Sequence, residues 1–449
     1  MSVLESAPAS TRAGGQHEQR PEHLGAAETR TAVAASLIGT TVEWYDFFLY
    51  STAAGIVFNK LFFPDTSAFV GTMLSFATFA VGFVMRPVGG LVFGHIGDRI
   101  GRKRTLALTM AIMGGSTALM GVLPTSAAIG IAAPILLLGL RILQGFALGG
   151  EWAGAVLLAV EHSPRKKVGR FGSYPQIGLA LGLALGTGVF ALLRTVLSEQ
   201  AFLDYGWRIA FGASVVLVVI GLVVRLKIDE TPAFREIDRL NRISKVPVVE
   251  LFRNARTRRN TVLGLLSRWG EGAAFNTWGV FAISFATGHL GFEQVPVLLA
   301  VTIAAVVMAA LIPVSGNLTD RFGPRRVYIA GIAAYGVLVY PVFALFEVGN
   351  IVVFTLAIIA VFGVAHALFY GAQGTLYAGL YPAEVRYTGL SFVYQVSGIY
   401  ASGITPMIVT ALIAVGGRTP WLACGYLVAT AVISVVATLF ISEDDRLTA

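Results

Sequence analysis

The hydrophobic positions of this chain gather into long runs, separated by short segments that hold charges, proline or glycine. Each run reaches about 20 residues, the length that a helix needs to cross the hydrocarbon core of a bilayer. The pattern predicts an all-α membrane protein. Twelve spans are expected, with approximate bounds 32–58, 68–93, 105–123, 130–159, 171–197, 208–227, 260–287, 297–318, 327–346, 350–380, 388–416 and 418–441.

Composition agrees with a chain that crosses the membrane many times. Of its 449 residues, 55% are hydrophobic and 13% are charged, whereas soluble domains hold roughly 25% charged residues. No basic, apolar, small-residue pattern opens the chain, so we expect no removed signal peptide. The single cysteine, Cys424, excludes an internal disulfide and a cysteine-based metal cluster. Neither a metal site nor a cofactor other than a coupling proton is expected.

The basic residues are distributed unevenly between the two sides of the predicted bundle. With an even number of spans, both termini lie on one side. That side receives 26 of the 33 Lys and Arg residues, the opposite side receives four, and three lie inside spans. Basic segments face the cytoplasm, so both termini are expected there. The net charge of +8 then suits anionic lipid headgroups at the inner face, and nucleic acid is not an expected partner.

A sequence repeat divides the chain near its middle. GHIGDRIGRKR (Gly94–Arg104) follows the second span, and GNLTDRFGPRR (Gly316–Arg326) follows the eighth, 222 residues later. Two homologous halves suggest a transporter that moves about a site at the membrane midplane. The expected parts are a disordered cytoplasmic tail (1–31), a six-helix half (32–227), a cytoplasmic linker (228–259), a second six-helix half (260–441) and a C-terminal tail (442–449).

Four stretches carry a resemblance to a known family: VEWYDFFLY in span one, RPVGGLVFGHIGDRIGRK, RILQGFALGGEWAGA in span four and PAEVRYTGLSFVYQ entering span eleven. Together with the repeat, they resemble the major facilitator superfamily and, within it, the metabolite:proton symporter family. The resemblance covers about residues 32–441. It implies proton-driven uptake of α-ketoglutarate, shikimate, citrate or another carboxylate, or of proline or betaine. The chain departs from the family pattern at Pro324, where Arg is usual.

The resemblance also implies a gate at the cytoplasmic side, because the family's repeated loops latch the two halves together. Gating is therefore assigned to charged residues in and near these loops: Asp98, Arg99, Arg102, Glu151, Glu161, Asp320, Arg321 and Arg386. For Glu151 and Arg86, structural pairing between helices near the inner face is the more ordinary interpretation. A basic loop by itself would indicate only topology.

Polar side chains inside the spans are the candidates for a substrate site, because charges at such depth usually face a cavity or a partner. Arg141 and Gln144 share one face of span four. Arg268 and Glu271, three residues apart in span seven, can neutralise each other or form a polar station near the pore. Hydrogen-bonding groups of spans ten and eleven complete the set: Tyr370, Gln373, Tyr394 and Gln395. His366 is interpreted as a proton relay or as a core residue with satisfied hydrogen bonds.

Glu43 and Asp46 lie near the middle of span one, three residues apart and therefore on one face. With Glu151 and Glu271 they make four deep acids against three deep arginines, so one carboxylate needs another neutralising group. Two neighbouring carboxylates in a low dielectric cannot both stay ionised without a large cost. We therefore interpret Glu43 and Asp46 as the site of the coupling proton. Solvation of the odd charge by water or backbone groups is the alternative.

The sequence thus predicts a proton-coupled symporter, a monomer in the plasma or inner membrane, for a small organic acid such as a dicarboxylate, an α-keto acid or shikimate. A zwitterion such as proline or betaine is the alternative substrate. A transporter-like solute receptor is an alternative of another class, although such receptors usually add a soluble domain that the short tails leave no room for. No nucleophile–base pair indicates an enzyme, and no G-x-x-x-x-G-K-[ST] motif indicates ATP as the energy source.

Overall fold

The computed structural model describes residues 26–100, 102–161, 163–227 and 247–441, in which every long element is a helix. Twelve such helices follow one another along the chain, in agreement with the predicted all-α fold. They are α1 (26–61), α2 (Ala68–Ile100), α3 (Arg102–Val122), α4 (132–161), α5 (Val168–Val196), α6 (199–227), α7 (255–288), α8 (Gln294–Phe322), α9 (Pro324–Phe346), α10 (351–378), α11 (383–415) and α12 (Trp421–Leu439).

Within the described ranges, nine of these helices are long and apolar enough to cross a membrane. The other three are α1, α3 and α7, which complete the predicted twelve. Helices α1 and α7 carry four of the charged candidates for the site, Glu43, Asp46, Arg268 and Glu271. We call the end of the bundle at which α1 begins the basic end, because its connecting segments hold most of the Lys and Arg residues.

The repeated segments Gly94–Arg104 and Gly316–Arg326 are mostly helical, so the prediction that they are loops was wrong. Helices α2 and α8 continue into them, because a helix satisfies its own backbone hydrogen bonds whether or not its side chains are apolar. The second segment breaks at Gly323, whose φ of 86° favours glycine. Pro324 then begins α9, a position where the missing N–H leaves no helical hydrogen bond unmade.

Two other helices begin earlier than their apolar runs. Helix α6 begins at residue 199 rather than 208, because the Ser198 hydroxyl caps it by accepting from the Ala201 backbone N–H (3.2 Å). Helix α11 begins at residue 383, directly after Pro382. Arg386 therefore lies in the first turn of a helix. The sequence predicted instead that it lies in a loop over 381–387, between spans ten and eleven. A change in polarity marks the membrane boundary, whereas a cap or a proline marks the helix end.

The two six-helix halves, α1–α6 and α7–α12, meet chiefly where α5 packs on α8 and α2 packs on α11. Inside the first half, α5 also packs along α1 through a ridge of small residues. A Cβ atom at Gly178 or Gly182 would overlap Thr40 or Trp44 of α1. The absence of a side chain at these glycines therefore allows the close helix contact.

Helices α2 and α4 touch backbone to backbone. A Cβ atom at Gly145 of α4 would overlap the carbonyl oxygen of Gly82, and one at Gly149 would overlap that of Arg86. These α4 glycines therefore admit α2 at backbone distance. This close contact brings Arg86 of α2 and Arg141 of α4 into the same region of the first half.

Candidate functional site

Among the described residues, the three most deeply buried arginines are Arg86 of α2, Arg141 of α4 and Arg268 of α7. Each side chain is at most 4% exposed. Arg86 lies close enough to both of the others for their charges to repel. Burying like charges is costly unless each finds a compensating partner, so the contacts of each guanidinium indicate its role.

Arg268 is compensated inside its own half. Its Nε lies 3.1 Å from Oε2 of Glu271, although the N–H does not point at the oxygen, which makes the contact a charge pair and not an aligned hydrogen bond. Its Nη1 donates to Oγ of Ser397 (3.0 Å) and to the backbone oxygen of Tyr394 (3.2 Å). Of the two interpretations given for this acid–base pair, mutual neutralisation is the one that the geometry shows.

Arg141 lies beside Gln144 and donates to its Oε1 through Nη1. Gln144 in turn donates to Oγ1 of Thr117 on α3 (2.9 Å). The Arg141 guanidinium carbon lies 4.1 Å from the ring centre of Tyr50 and 4.7 Å from that of Phe47. Its Nε and Nη2 have no hydrogen-bond partner among the described residues. Arg141 is therefore enclosed by aromatic rings and is connected to α3 by hydrogen bonds through Gln144.

Asp46 lies between α1, α3 and α6. The Ser214 hydroxyl of α6 donates to its Oδ1, and Thr117 lies beside the carboxyl group without a hydrogen bond of standard geometry. Thr117 thus connects Asp46 to Gln144 and so to Arg141. We call these four residues and Ser214 the coupling network, after the coupling proton that the sequence predicts at Asp46. Glu43, the acid expected to share a face with Asp46, faces the junction of the halves instead, so the two carboxyl groups have different surroundings.

A small cavity lies where the two halves meet. It is lined by Thr40, Glu43, Trp44, Arg86, Leu148 and Trp152 from the first half and by Tyr394 and Gln395 from the second. We call it the interface cavity. It offers about 20 Å³ to a water-sized sphere, room for roughly one water molecule. Nε and Nη2 of Arg86 have no hydrogen-bond partner in the described part of the chain.

Side chains from both halves contact each other in the wall of this cavity. The indole of Trp152 stacks on the Tyr394 ring, with centroids 3.7 Å apart and an interplanar angle of 15°. The guanidinium carbon of Arg268 also contacts the Tyr394 ring, 3.8 Å from its centre. Trp152 Nε1 donates to Gln176 (2.9 Å), and Gln395 Nε2 donates to the Gly149 carbonyl of the first half (2.9 Å). Tyr394 and Gln395 therefore join the halves as well as line the cavity.

The α10 candidates lie apart from the cavity wall. Tyr370 is adjacent to Tyr394, and its backbone oxygen accepts from Nε2 of Gln176 (3.2 Å). Gln373 is fully buried, and its amide has no hydrogen-bond partner within the described ranges. The expectation that His366 has satisfied hydrogen bonds was wrong: neither ring nitrogen has a partner among the residues described. Aromatic rings surround it instead, those of Phe275, Phe362, Phe369 and Tyr370.

Among the gating candidates, Asp320 joins the two halves at the basic end. Its two carboxylate oxygens accept from the backbone N–H groups of Gly169 (2.6 Å) and Arg170 (3.0 Å) at the beginning of α5. Arg321 is exposed and lies over the Phe322 ring, 5.1 Å from its centre. Arg386 donates through Nε to the backbone oxygen of Tyr381 (3.1 Å). Of these three, Asp320 makes the contact between halves that a latch requires.

Several predictions of role fall outside what the structure describes. They concern the side chains of Asp98, Arg99, Arg102, Glu151 and Glu161. The predicted tails and most of the linker also fall outside, namely residues 1–25, 228–246 and 442–449. The interpretation of Glu151 and Arg86 as structural pairing between helices near the inner face therefore stays a prediction.

Sequence reasoning missed Arg86, Trp152 and Gln176 as site residues. Arg86 was named, but its position toward the basic end favoured structural pairing over binding. The available signal was a charge within an apolar run of α2. Trp152 stands in the GGEWAGA stretch that carries the family resemblance, yet an aromatic residue in a span usually indicates packing. Only the opposing position of Tyr394 on α11 shows that Trp152 meets the other half.

Comparisons with known proteins bear on the whole chain. Residues 31–239 match the family described as sugar (and other) transporter, and residues 271–448 match the major facilitator superfamily. The inner membrane metabolite transport protein YhjE of Escherichia coli is 40% identical over 87% of this chain and 89% of its own. The shikimate transporter of Escherichia coli is 37% identical over 95% and 98%. The proline/betaine transporter of Salmonella typhimurium is 34% identical over 92% and 83%.

Solved structures agree on the fold. The crystal structure of a D-xylose-proton symporter superimposes with a TM-score of 0.71 over 92% of this chain and 98% of that one, at 17% sequence identity. Such low identity establishes the architecture alone, while the closer relatives establish the family. The chain therefore belongs to the major facilitator superfamily, as its motifs predicted, and is a multi-pass membrane transporter rather than an enzyme.

Proposed function

We propose that this transporter takes up a small organic acid together with at least one proton. The observation that carries the proposal is the guanidinium edge, Nε with Nη2, of Arg86 and Arg141 in the first half, which has no hydrogen-bond partner among the described residues. Two parallel N–H groups match the two oxygens of a carboxylate. Because an uncompensated buried charge is costly, a substrate carboxylate would relieve that cost while it gains two hydrogen bonds.

The coupling proton is assigned to Asp46 and Glu43. Asp46 is fully buried and has one hydroxyl donor, Ser214, on its Oδ1, so a proton is an economical way to neutralise it. Glu43 lines the interface cavity, where a proton and a substrate could arrive together. The proton is the coupling ion, and no other cofactor enters the proposal.

The contacts between halves support alternating access. At the basic end, which we expect to face the cytoplasm and its anionic lipid headgroups, Asp320 holds the beginning of α5. The Trp152–Tyr394 stack and the Gln395–Gly149 hydrogen bond lie between the same two halves. Movement of the halves about the interface cavity would break these contacts together and open the site to that side. One chain contains both halves, so a monomer suffices.

A zwitterion such as betaine or proline is the second candidate, because aromatic rings and an acid line the same cavity. Trp44, Trp152, Tyr394 and Glu43 are suited to a quaternary or secondary ammonium group. The names of the relatives allow either substrate, a shikimate transporter or a proline/betaine transporter. Shikimate, proline and betaine each carry one carboxylate, so an arginine site would serve all of them.

Transport and binding by the purified protein test the proposal. A thermal-shift screen of carboxylates and betaines at two pH values should select an acid. That acid should then accumulate in proteoliposomes against its gradient when the outside is acidic, and a protonophore should abolish the accumulation. Counterflow of labelled solute separates transport from mere binding. Accumulation that ignores the pH gradient, or tight binding of betaine with none of the acids, would contradict the proposal.

A further inference from the structure

We infer that two buried arginines of the first half have different functions: Arg86 binds the substrate carboxylate, and Arg141 positions the coupling network. The inference rests on the proposed function, because it assumes a carboxylate substrate and a coupling proton. It adds a binding residue that sequence reasoning did not assign, and it removes Arg141 from direct contact with the substrate.

Access separates the two side chains. Arg86 lines the interface cavity together with Trp44, Trp152 and Tyr394, whereas Arg141 does not line it and is 0% exposed. Both halves contribute walls to the cavity. A site that opens to each side of the membrane in turn requires this arrangement. Arg86 is therefore the buried cation of the first half that a solute between the halves would meet.

Among the described residues, aromatic rings hold the Arg86 guanidinium, and its Nε and Nη2 have no hydrogen-bond partner. The guanidinium carbon lies 4.3 Å from the ring centre of Phe83, 4.5 Å from that of Phe47 and 5.6 Å from that of Trp44. Aromatic faces attract a cation but offer no acceptor in the plane of its N–H groups. The Nε–Nη2 edge is thus positioned in advance and still able to bind a carboxylate through two hydrogen bonds.

The surroundings of Arg141 direct it elsewhere. Its Nη1 is bonded to Gln144, which is bonded to Thr117 beside Asp46. Its Nε faces the backbone of α2, where a Cβ atom at Gly82 would lie 2.6 Å away. A substrate carboxylate has no room on that side, because helix backbone already occupies it. Through Gln144 and Thr117, Arg141 can instead orient the groups around the Asp46 carboxyl.

The size of the interface cavity shows when binding would occur. Space for roughly one water molecule admits no organic acid in this conformation. The stacked rings of Trp152 and Tyr394 form part of the cavity wall, so we expect α4 and α11 to separate before an organic acid binds Arg86. A carboxylate on Arg86 would then lie beside the rings of Trp44 and Trp152. This arrangement suits an acid whose carboxylate is at one end of a compact carbon skeleton.

The test compares charged ligands with uncharged copies of them. Binding of shikimate, α-ketoglutarate and betaine is measured against the primary amide of each, for wild type, Arg86→Gln, Arg86→Lys and the matched control Arg141→Gln. The wild type should prefer the bound acid over its amide by on the order of 100-fold. Arg86→Gln should reduce that preference to a few-fold. Arg86→Lys, which keeps the charge and loses the planar edge, should weaken acid binding by roughly 10-fold.

Arg141→Gln should show the opposite pattern. It should keep the acid-over-amide preference but lose accumulation driven by a pH gradient, and Arg141→Lys should restore part of it. A preference of about 100-fold retained in both Arg86 variants would overturn the inference, and so would its loss in Arg141→Gln with accumulation intact. If the wild type itself does not prefer any acid over its amide, the proposed function fails first. Should Arg86→Gln not fold, Arg86→Lys decides.

Discussion

The two halves of this transporter treat buried arginine differently. In the second half, Arg268 has an acid 3.1 Å away and two further oxygen acceptors. In the first half, Arg86 and Arg141 each keep an N–H edge without a partner among the described residues, although aromatic rings enclose them. The Arg268 charge in the second half is therefore compensated by groups of the protein itself. The first half keeps N–H groups that could bind an anion.

The spacing of acid and base along the chain explains the difference. Glu271 follows Arg268 by three residues, so the pair forms as soon as α7 forms its helix. Asp46 and Arg141 belong to different helices, and Gln144 and Thr117 lie between them. A pair within one helix does not depend on contacts between helices, so we expect it to persist through a cycle of helix movements. A network of several helices can change when a proton or substrate arrives.

The largest effect is expected at the acid of the coupling network. Asp46→Asn keeps the shape of the side chain but cannot exchange a proton, so accumulation driven by a pH gradient should be abolished. Glu43→Gln should have the same effect, if the two acids act together. Exchange of internal for external solute, which needs no net proton movement, serves as the control in the same vesicles. If both variants still concentrate solute, the coupling site lies elsewhere and the contrast between halves loses its functional meaning.

The second effect concerns the Arg268–Glu271 pair. Glu271→Gln leaves the Arg268 charge buried with no acid beside it, which should lower the free energy of unfolding by about 3–5 kcal/mol. Thermal unfolding in detergent measures the change. The double substitution Arg268→Met with Glu271→Met is the control and should recover most of the loss, because it removes both charges. A single variant as stable as wild type would show that this pair is not structural.

A smaller effect is expected at the stack between halves. Trp152→Ala removes an aromatic contact worth about 0.5–1.5 kcal/mol, so opening toward the basic end should become roughly two- to ten-fold more frequent. The labelling rate of a cysteine at buried Ser173, introduced with Cys424→Ala, reports opening in detergent. Trp152→Phe keeps a ring and should change the rate less. Equal rates in all three proteins would mean that the stack does not hold the halves together.

The latch at the repeat should give a still smaller change. Asp320→Asn removes a charge from the beginning of α5, worth about 0.3–1 kcal/mol, and should alter the transport rate roughly two- to five-fold with little loss of expression. Asp98→Asn is its counterpart in the first half and tests whether the two repeats are equally strong. Unchanged rates in both would leave the repeated segments as topology signals only.

The last prediction concerns membrane topology, for which no labelling of intact cells is expected. Single cysteines in residues 1–30, in 228–258 and in the C-terminal tail, each with Cys424→Ala, should resist an impermeant thiol reagent in intact cells. We expect all three segments in the cytoplasm because of the basic-residue asymmetry. Labelling after permeabilisation shows that each cysteine is reactive. Rapid labelling of all three cysteines in intact cells would show that both halves have the opposite orientation.

Much of the fold could be predicted from the sequence, because apolar length and basic punctuation follow directly from the bilayer. The twelve helices, the glycine contacts of α4 and the option of an Arg268–Glu271 pair are local properties of the chain. The helix ends at residues 199 and 383 were missed, since polar turns continue a helix without any hydropathy signal. The repeated segments were mistaken for loops for the same reason.

The assignment of individual charges could not be completed from the sequence. Arg86 and Arg141 are both single charges in apolar runs, and only helix packing shows which of them reaches a cavity. The separation of Glu43 from Asp46 depends on which neighbours α1 meets, namely α3 and α6 on one side and the second half on the other. Such facts arise from the rotation of each helix about its own axis, which a spacing of three residues does not determine.

The backbone contact between α2 and α4 has a mechanical consequence. Because Gly145 and Gly149 have no Cβ, no layer of flexible side chains separates the two helices. We therefore expect α2 and α4 to move as one rigid body. Arg86 and Arg141, one on each helix, would then keep a constant separation through the whole transport stroke. The changes in helix packing during transport should therefore occur outside this helix pair, in parts such as α1 and the second half, which move relative to it.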